Sequence, residues 1–271
     1  MQRAIAAVFV GGVLLASCGG SKSASAPTPV ITASNVVVTL AQDGVLVGRT
    51  VQASAVATMS DGSTRAVTSG WQSDAPLVAT VAPTGLVTGV SNGRATIYVI
   101  YEGRQGQAVV RTYPNYQGSW SGSYVLRGCS HSGTFASINF CGGLVGQTLP
   151  TTLSMTQSLD RVEGRFQLGQ ISFSTFVAPV EGDGSIAFGG TSSGDVTLDA
   201  QWRVSAAGQD GRLTGTLRQI WRMSGVIGQA QLDGELVTVT RSSSGLGVPA
   251  EVPTIEPRSI DEARAAMGLR R

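Results

Sequence analysis

The run Val196-Thr197-Leu198-Asp199-Ala200-Gln201-Trp202-Arg203-Val204-Ser205 decides the fold class. Val196, Leu198, Ala200, Trp202 and Val204 share one face, while Thr197, Asp199, Gln201, Arg203 and Ser205 share the other. A period of two over ten residues fits a half-buried β-strand and no helix. Leu213, Leu217, Trp221 and Met223 continue the pattern downstream. Across the 271 residues, 36 glycines, 13% charged residues and abundant Val, Thr and Ser point the same way, to an all-β chain with many turns.

Around that run, one five-residue pattern recurs: Trp120-Ser121-Gly122-Ser123-Tyr124, Val162-Glu163-Gly164-Arg165-Phe166, Leu213-Thr214-Gly215-Thr216-Leu217 and Leu232-Asp233-Gly234-Glu235-Leu236. Each glycine lies on the face of its apolar neighbours, a poor packing choice unless the strand bends sharply or another group comes close. Strands coiled into a small barrel have that need. With turns at Asp183-Gly184 and Asp210-Gly211, residues 115–242 are expected to form an antiparallel barrel of about eight strands. Its opening Gly118-Ser119-Trp120 resembles the Gly-x-Trp of lipocalins, and avidins have a comparable first strand, so the architecture is expected to be lipocalin-like. Gly128 to Pro150 reads as an elaborated loop, and Phe176 and Ile220 are expected to point outward. Trp120, Tyr124, Phe166, Phe173, Trp202 and Trp221 either fill the barrel or line a cavity. Trp120, Trp202 and Trp221 are therefore the candidate contacts for a small hydrophobic ligand.

Residues 30–114 carry a second all-β pattern of about seven short strands, which argues for a β-sandwich. Its elements come in a fixed order: Asp61-Gly62-Ser63, Trp71-Gln72-Ser73-Asp74, Val78-Ala79-Thr80-Val81, Gly85-Leu86-Val87-Thr88-Gly89-Val90 and Gly93-Arg94-Ala95-Thr96-Ile97. This set resembles the bacterial immunoglobulin-like domain of group 2. The resemblance implies an immunoglobulin-like sandwich found in surface and secreted bacterial proteins, as an adhesion module or a spacer, with no catalytic residues. Trp71 is expected in the core between the sheets, and Gly85 and Gly93 at tight turns with positive φ.

At the N-terminus, Arg3 precedes an uncharged apolar run from Ala4 to Ala16, too short for a membrane-spanning helix of about 20 residues. Leu15-Ala16-Ser17-Cys18 ends it and resembles the lipobox of bacterial lipoproteins; an ordinary secretory signal is the alternative. The resemblance implies a signal peptide over 1–17, lipid attachment at Cys18 and, with Gly19 rather than Asp following, an outer-membrane location. Residues 18–29 then read as a lipidated tether. With Cys18 consumed, Cys129 and Cys141 remain, and in a compartment where disulfides persist they are expected to pair. Residues 243–271 read as a linker followed by a short helix opened by the capping pattern Ser259-Ile260-Asp261-Glu262.

The chemistry sought is mostly not found. His131 is the only histidine, which leaves any triad or metal site dependent on one residue in a Ser/Gly-rich loop. The carboxylate pairs Asp160 with Glu163, Asp195 with Asp199 and Asp233 with Glu235 fall at turns or on polar strand faces. No strand leads into a helix through a Gly-rich phosphate loop, so no cofactor is expected. A net charge of +2 with scattered arginines argues against nucleic acid as a partner. The expectation is a non-enzymatic, lipid-anchored envelope protein whose partners are the membrane and an envelope protein or glycan; the alternative is a carrier holding a small hydrophobic ligand in the barrel.

Overall fold

The computed structural model describes residues 29–207, 211–242 and 255–270, all-β apart from two short helices. Cys18, the apolar leader and the tether as far as residue 28 lie outside the described residues, as do residues 243–254 of the linker.

Nine strands build the first domain: β1 (Ala33–Leu40), β2 (Gly44–Leu46), β3 (Thr50–Met59), β4 (Thr64–Val67), β5 (Trp71–Ser73), β6 (Ala79–Val81), β7 (Leu86–Gly89), β8 (Gly93–Tyr101) and β9 (Arg104–Tyr113). One sheet runs β1-β3-β7-β6 with β4 beside β3, and the other runs β2-β9-β8-β5. Along β3, Val51, Ala53, Ala55, Ala57 and Met59 face inward as the alternation requires. The long β8–β9 hairpin closes through Glu102 and Gly103, both at positive φ, the geometry that matches strand twist. Gly85 adopts a φ of 81°, and a Cβ there would sit 2.6 Å from the Ala53 carbonyl oxygen. Trp71, on the edge strand β5, packs against both apolar clusters of the sandwich, as expected of a core residue, and is half-buried there. Strand β2 has no clear alternation to announce it, because three residues pairing in parallel with the end of β9 are set by that partner.

The second domain contains β10 (Gly118–His131), helix α1 (Thr134–Ser137), β11 (Thr148–Ser158), β12 (Arg161–Leu168), β13 (Ile171–Ser172), β14 (Phe176–Pro179), β15 (Ile186–Thr191), β16 (Val196–Ala207), β17 (Arg212–Met223), β18 (Ala230–Leu236) and β19 (Val239–Arg241). From β10 the ladder passes through β11 and β12 to β14 in one direction, and through β18, β17 and β16 to β15 in the other. Strands β14 and β15 meet through a Val180–Ile186 bridge and a Ser174 N–H that donates to the Thr191 carbonyl at 3.2 Å. The result is a closed ring of eight antiparallel strands in chain order, with β13 and β19 as short additions.

The repeated glycines have the role the pattern implies. A Cβ on Gly164 would lie 2.5 Å from the Ser154 carbonyl oxygen and 2.9 Å from Phe176 Cζ. On Gly234 it would lie 3.0 Å from Tyr124 Cδ2. Gly122 lies against the Thr238 carbonyl where β10 changes partner from β19 to β18, and Gly215 against the Arg203 carbonyl. Barrel curvature brings either backbone or a ring into each space that a side chain would fill.

One expectation about direction needs correction. Phe176 points inward and is buried, while its neighbour Val177 is exposed. The irregular residues 173–175 reset the alternation before β14, so both Phe173 and Phe176 face the core. Ile220 lies on the outward face of β17, as expected, and is half-buried there. The excursion after Gly128 is also shorter than read, because β10 continues to His131 and α1 follows.

Helix α2 (Ile260–Met267) docks on the barrel, burying Ala263, Ala266, Met267 and the following Leu269 in the barrel core. Ser259 Oγ accepts the Glu262 N–H at 3.2 Å, while the Glu262 carboxylate accepts from Arg258 N–H at 2.8 Å. Gly268 at φ 80° ends the helix. The outer face of the barrel carries the ion pairs Arg127–Glu235, Arg161–Glu163, Arg203–Asp183, Arg218–Asp233 and Arg222–Asp199. A membrane-spanning barrel presents an apolar band there instead.

Candidate functional site

The interior of the barrel is built from inward positions of every strand, and aromatic rings occupy its middle. Phe176 stacks on Phe188 with centroids 3.9 Å apart, and Phe166 stacks on Phe173 at 4.6 Å. Trp202 lies parallel to Phe188 at 6.2 Å and meets Phe166 and Tyr124 edge-on at 5.9 and 6.3 Å. Gly164 and Gly234 leave the room that Phe176 and Tyr124 take. The rings therefore pack against one another and against the glycine gaps.

The three candidate tryptophans are all buried but occupy different environments. Trp120 lies at the barrel end where the chain enters; its Nε1 donates to the Tyr116 carbonyl at 2.8 Å, and the Arg241 guanidinium covers its ring at 4.7 Å. Trp221 pairs with Leu198 and Trp202 with Leu217, so the two tryptophans are offset along the barrel by roughly 13 Å at the usual strand rise. Trp221 packs against Phe140 at 5.1 Å and donates through Nε1 to Gln219 Oε1 at 3.2 Å. Trp202 Nε1 is buried and has no hydrogen-bond partner among the described residues. No two of these indoles are in ring contact among the described residues.

Sequence reasoning missed one polar group in this interior. Gln219 is fully buried, and its Nε2 donates to the Tyr124 hydroxyl at 3.1 Å while its Oε1 takes the Trp221 indole proton. Its signal was available: it stands at an inward position of β17, between Leu217 and Trp221, where every neighbour on that face is apolar or glycine. Burial pushes the Tyr124 phenol above its ordinary range, with the Gln219 bond opposing the shift.

One end of the barrel is closed by the disulfide loop and α2 together. Cys129 and Cys141 are bonded, with Cα atoms 5.6 Å apart, as expected from the sequence. His131 Nδ1 accepts the Cys141 N–H at 3.2 Å, which engages the only histidine in holding the loop. Phe135, Phe140 and Leu144 from this loop are fully buried in the barrel core. Arg264 of α2 donates to the Phe140 carbonyl at 2.7 Å and lies over the Phe140 ring at 5.2 Å. Gln147 and Arg270 exchange two hydrogen bonds at 2.8 Å each. An open groove of about 640 Å³ runs between the loop and the helix, lined by Ile138, Asn139, Met223, Ser259, Ile260 and Asp261 among others.

The carboxylates weighed as catalytic pairs point elsewhere. Glu163, Asp199, Asp233 and Glu235 each pair with an arginine on the outer face. Asp183, at a turn, is held down to about 2 by hydrogen bonds from the Ser185 hydroxyl and backbone N–H, with Arg203 adding to the effect. Among the described residues no group of three or more His, Cys, Asp or Glu could hold a metal ion.

Residues 32–111 match the family model of the bacterial Ig-like domain (group 2), in agreement with the sandwich of β1–β9. No curated protein matches the chain. The immunoglobulin-like domain suggests an adhesion or interaction module.

Proposed function

We propose that the chain is a non-enzymatic cell-envelope lipoprotein, anchored at the outer membrane through Cys18, in which the immunoglobulin-like domain is the spacer and interaction module for the barrel. The observation that carries this reading is the match of residues 32–111 to a domain type of bacterial surface and secreted proteins. Leu15-Ala16-Ser17-Cys18 and the short Ser/Ala/Gly/Pro segment behind it support the anchor, and Gly19 supports the outer membrane. The engagement of His131 by Cys141, and of the carboxylates by arginines, supports a role without catalysis. The partner is then an envelope protein or a glycan.

The test is Cys18→Ala. The variant is expected to leave the membrane fraction and to lose labelling by a fatty-acid analogue. Retention in the membrane fraction with unchanged labelling would refute the anchor.

One observation favours a second reading, a carrier for a small hydrophobic ligand. Trp202 Nε1 is a buried donor without a partner, and such donors are costly to leave unpaired. An apolar molecule with one hydrogen-bond acceptor would satisfy it. That reading expects tryptophan fluorescence to shift on titration with medium-chain fatty acids and the shift to disappear in Trp202→Phe; no shift in the unaltered chain sinks it.

A further inference from the structure

The passage from sandwich to barrel, Pro114 to Gln117, has the length of a flexible linker but the contacts of a core. Tyr116 is fully buried, and its hydroxyl donates to the Gly184 carbonyl at 2.6 Å. The Gln157 side chain grips the same segment from both sides: its Oε1 accepts the Tyr116 N–H at 2.7 Å, and its Nε2 donates to the Pro114 carbonyl at 2.9 Å. That amide also donates to the Leu159 carbonyl at 2.7 Å, tying the clamp to the β11–β12 turn. The Asn115 carbonyl accepts from Arg241, and the Tyr116 carbonyl from Trp120 Nε1. Backbone groups that a free linker would leave to water are thus bound by barrel side chains.

Side chains of the sandwich complete the joint. With its amide oriented to match its neighbours, Asn92 donates to the Thr112 carbonyl at 3.1 Å and lies 3.2 Å from the Gly184 nitrogen of the barrel, whose N–H also donates to the Glu181 carbonyl at 3.0 Å. Tyr113 packs against the barrel core, and Gly44 leaves room for Tyr113 and Leu159 together. Rotation about the joint would break bonds on several sides at once.

We propose that the immunoglobulin-like domain and the barrel form one rigid strut, welded at Pro114–Gln117 by Gln157 and Tyr116. The Ala33 N–H donates to Glu102 at 2.7 Å, which puts the start of the sandwich at the turn between β8 and β9. Strand β9 then covers about 30 Å to the joint. The disulfide loop and α2 lie at the other end of the barrel, where β10 finishes. The strut therefore holds that end at a fixed distance and direction from residue 33, whether or not Cys18 is lipidated.

Backbone residual dipolar couplings of the full chain, weakly aligned, test this. One alignment tensor is expected to reproduce the couplings of the strands in 33–113 and in 118–241. Two different tensors overturn the proposal. In Gln157→Ala the two domains are expected to need separate tensors while each still fits its own strands, which shows that both stay folded. An unchanged single tensor in that variant overturns the assignment of Gln157 as the clamp.

Discussion

Gly164 and Phe176 are complementary: the hydrogen side chain of one is the space that the ring of the other fills. A Cβ at residue 164 would lie 2.9 Å from Phe176 Cζ, and the Ser154 carbonyl oxygen blocks retreat at 2.5 Å. Gly164→Ala is expected to destabilise the protein by about 1–3 kcal/mol, the usual cost of overpacking. Thermal or urea denaturation measures it. A neutral outcome would mean that β12 can shift without disturbing the stacked Phe176–Phe188 pair.

The Cys129–Cys141 bond closes a loop that buries Phe135, Phe140 and Leu144, so its loss should reach the barrel core. The double variant Cys129→Ser, Cys141→Ser is expected to lose roughly 3 kcal/mol in the chain-entropy account. Reductant should lower the denaturation midpoint of the unaltered protein to a similar extent. It should leave the double variant unchanged.

Met267 is the largest apolar side chain that α2 itself contributes to the core, and it is fully buried. Truncation to Ala in such a site costs about 2–5 kcal/mol. Met267→Ala should therefore speed hydrogen exchange at Gln170, whose N–H donates to the Ala266 carbonyl, and at the last turn of the helix. If the exchange rates stay the same, the helix is held by Arg264 and Gln147 instead.

Burial raises the Tyr116 phenol from an ordinary value of 10 to about 12. The folded state thus favours the neutral phenol more than the unfolded state does. The corresponding stability is complete below pH 10 and is lost as pH rises through 12. A two-unit shift corresponds to about 2.7 kcal/mol. Urea titrations between pH 9 and 12 should show a steep loss of stability for the unaltered protein and a shallower one for Tyr116→Phe. Equal slopes would exclude Tyr116 as the source.

Much of this fold is legible without coordinates because its signals are local. Alternation at Val196–Ser205 announces a strand, and Glu102-Gly103 between two apolar runs announces a hairpin. The ordered motifs from Asp61 to Ile97 identify the sandwich, and the glycines at inward positions signal curvature. The direction of Phe176 is not legible in the sequence, because it depends on a reset at residues 173–175, where no period exists to follow. Gln157 reads as an ordinary polar strand residue, since Tyr116 and Pro114, the partners that make it a clamp, are more than forty residues away in sequence.

The sequence by itself determined the all-β class, the order of sandwich and barrel, and the glycine-bearing strands. Those properties follow from periodicity and composition, which act over a few residues. Only the tertiary structure decided which rings fill which glycine gaps, that α2 and the disulfide loop close the same barrel end, and that the joint at Tyr116 is bound on several sides. Each of these depends on groups far apart in the chain, brought together when eight strands curve far enough for the last to meet the first.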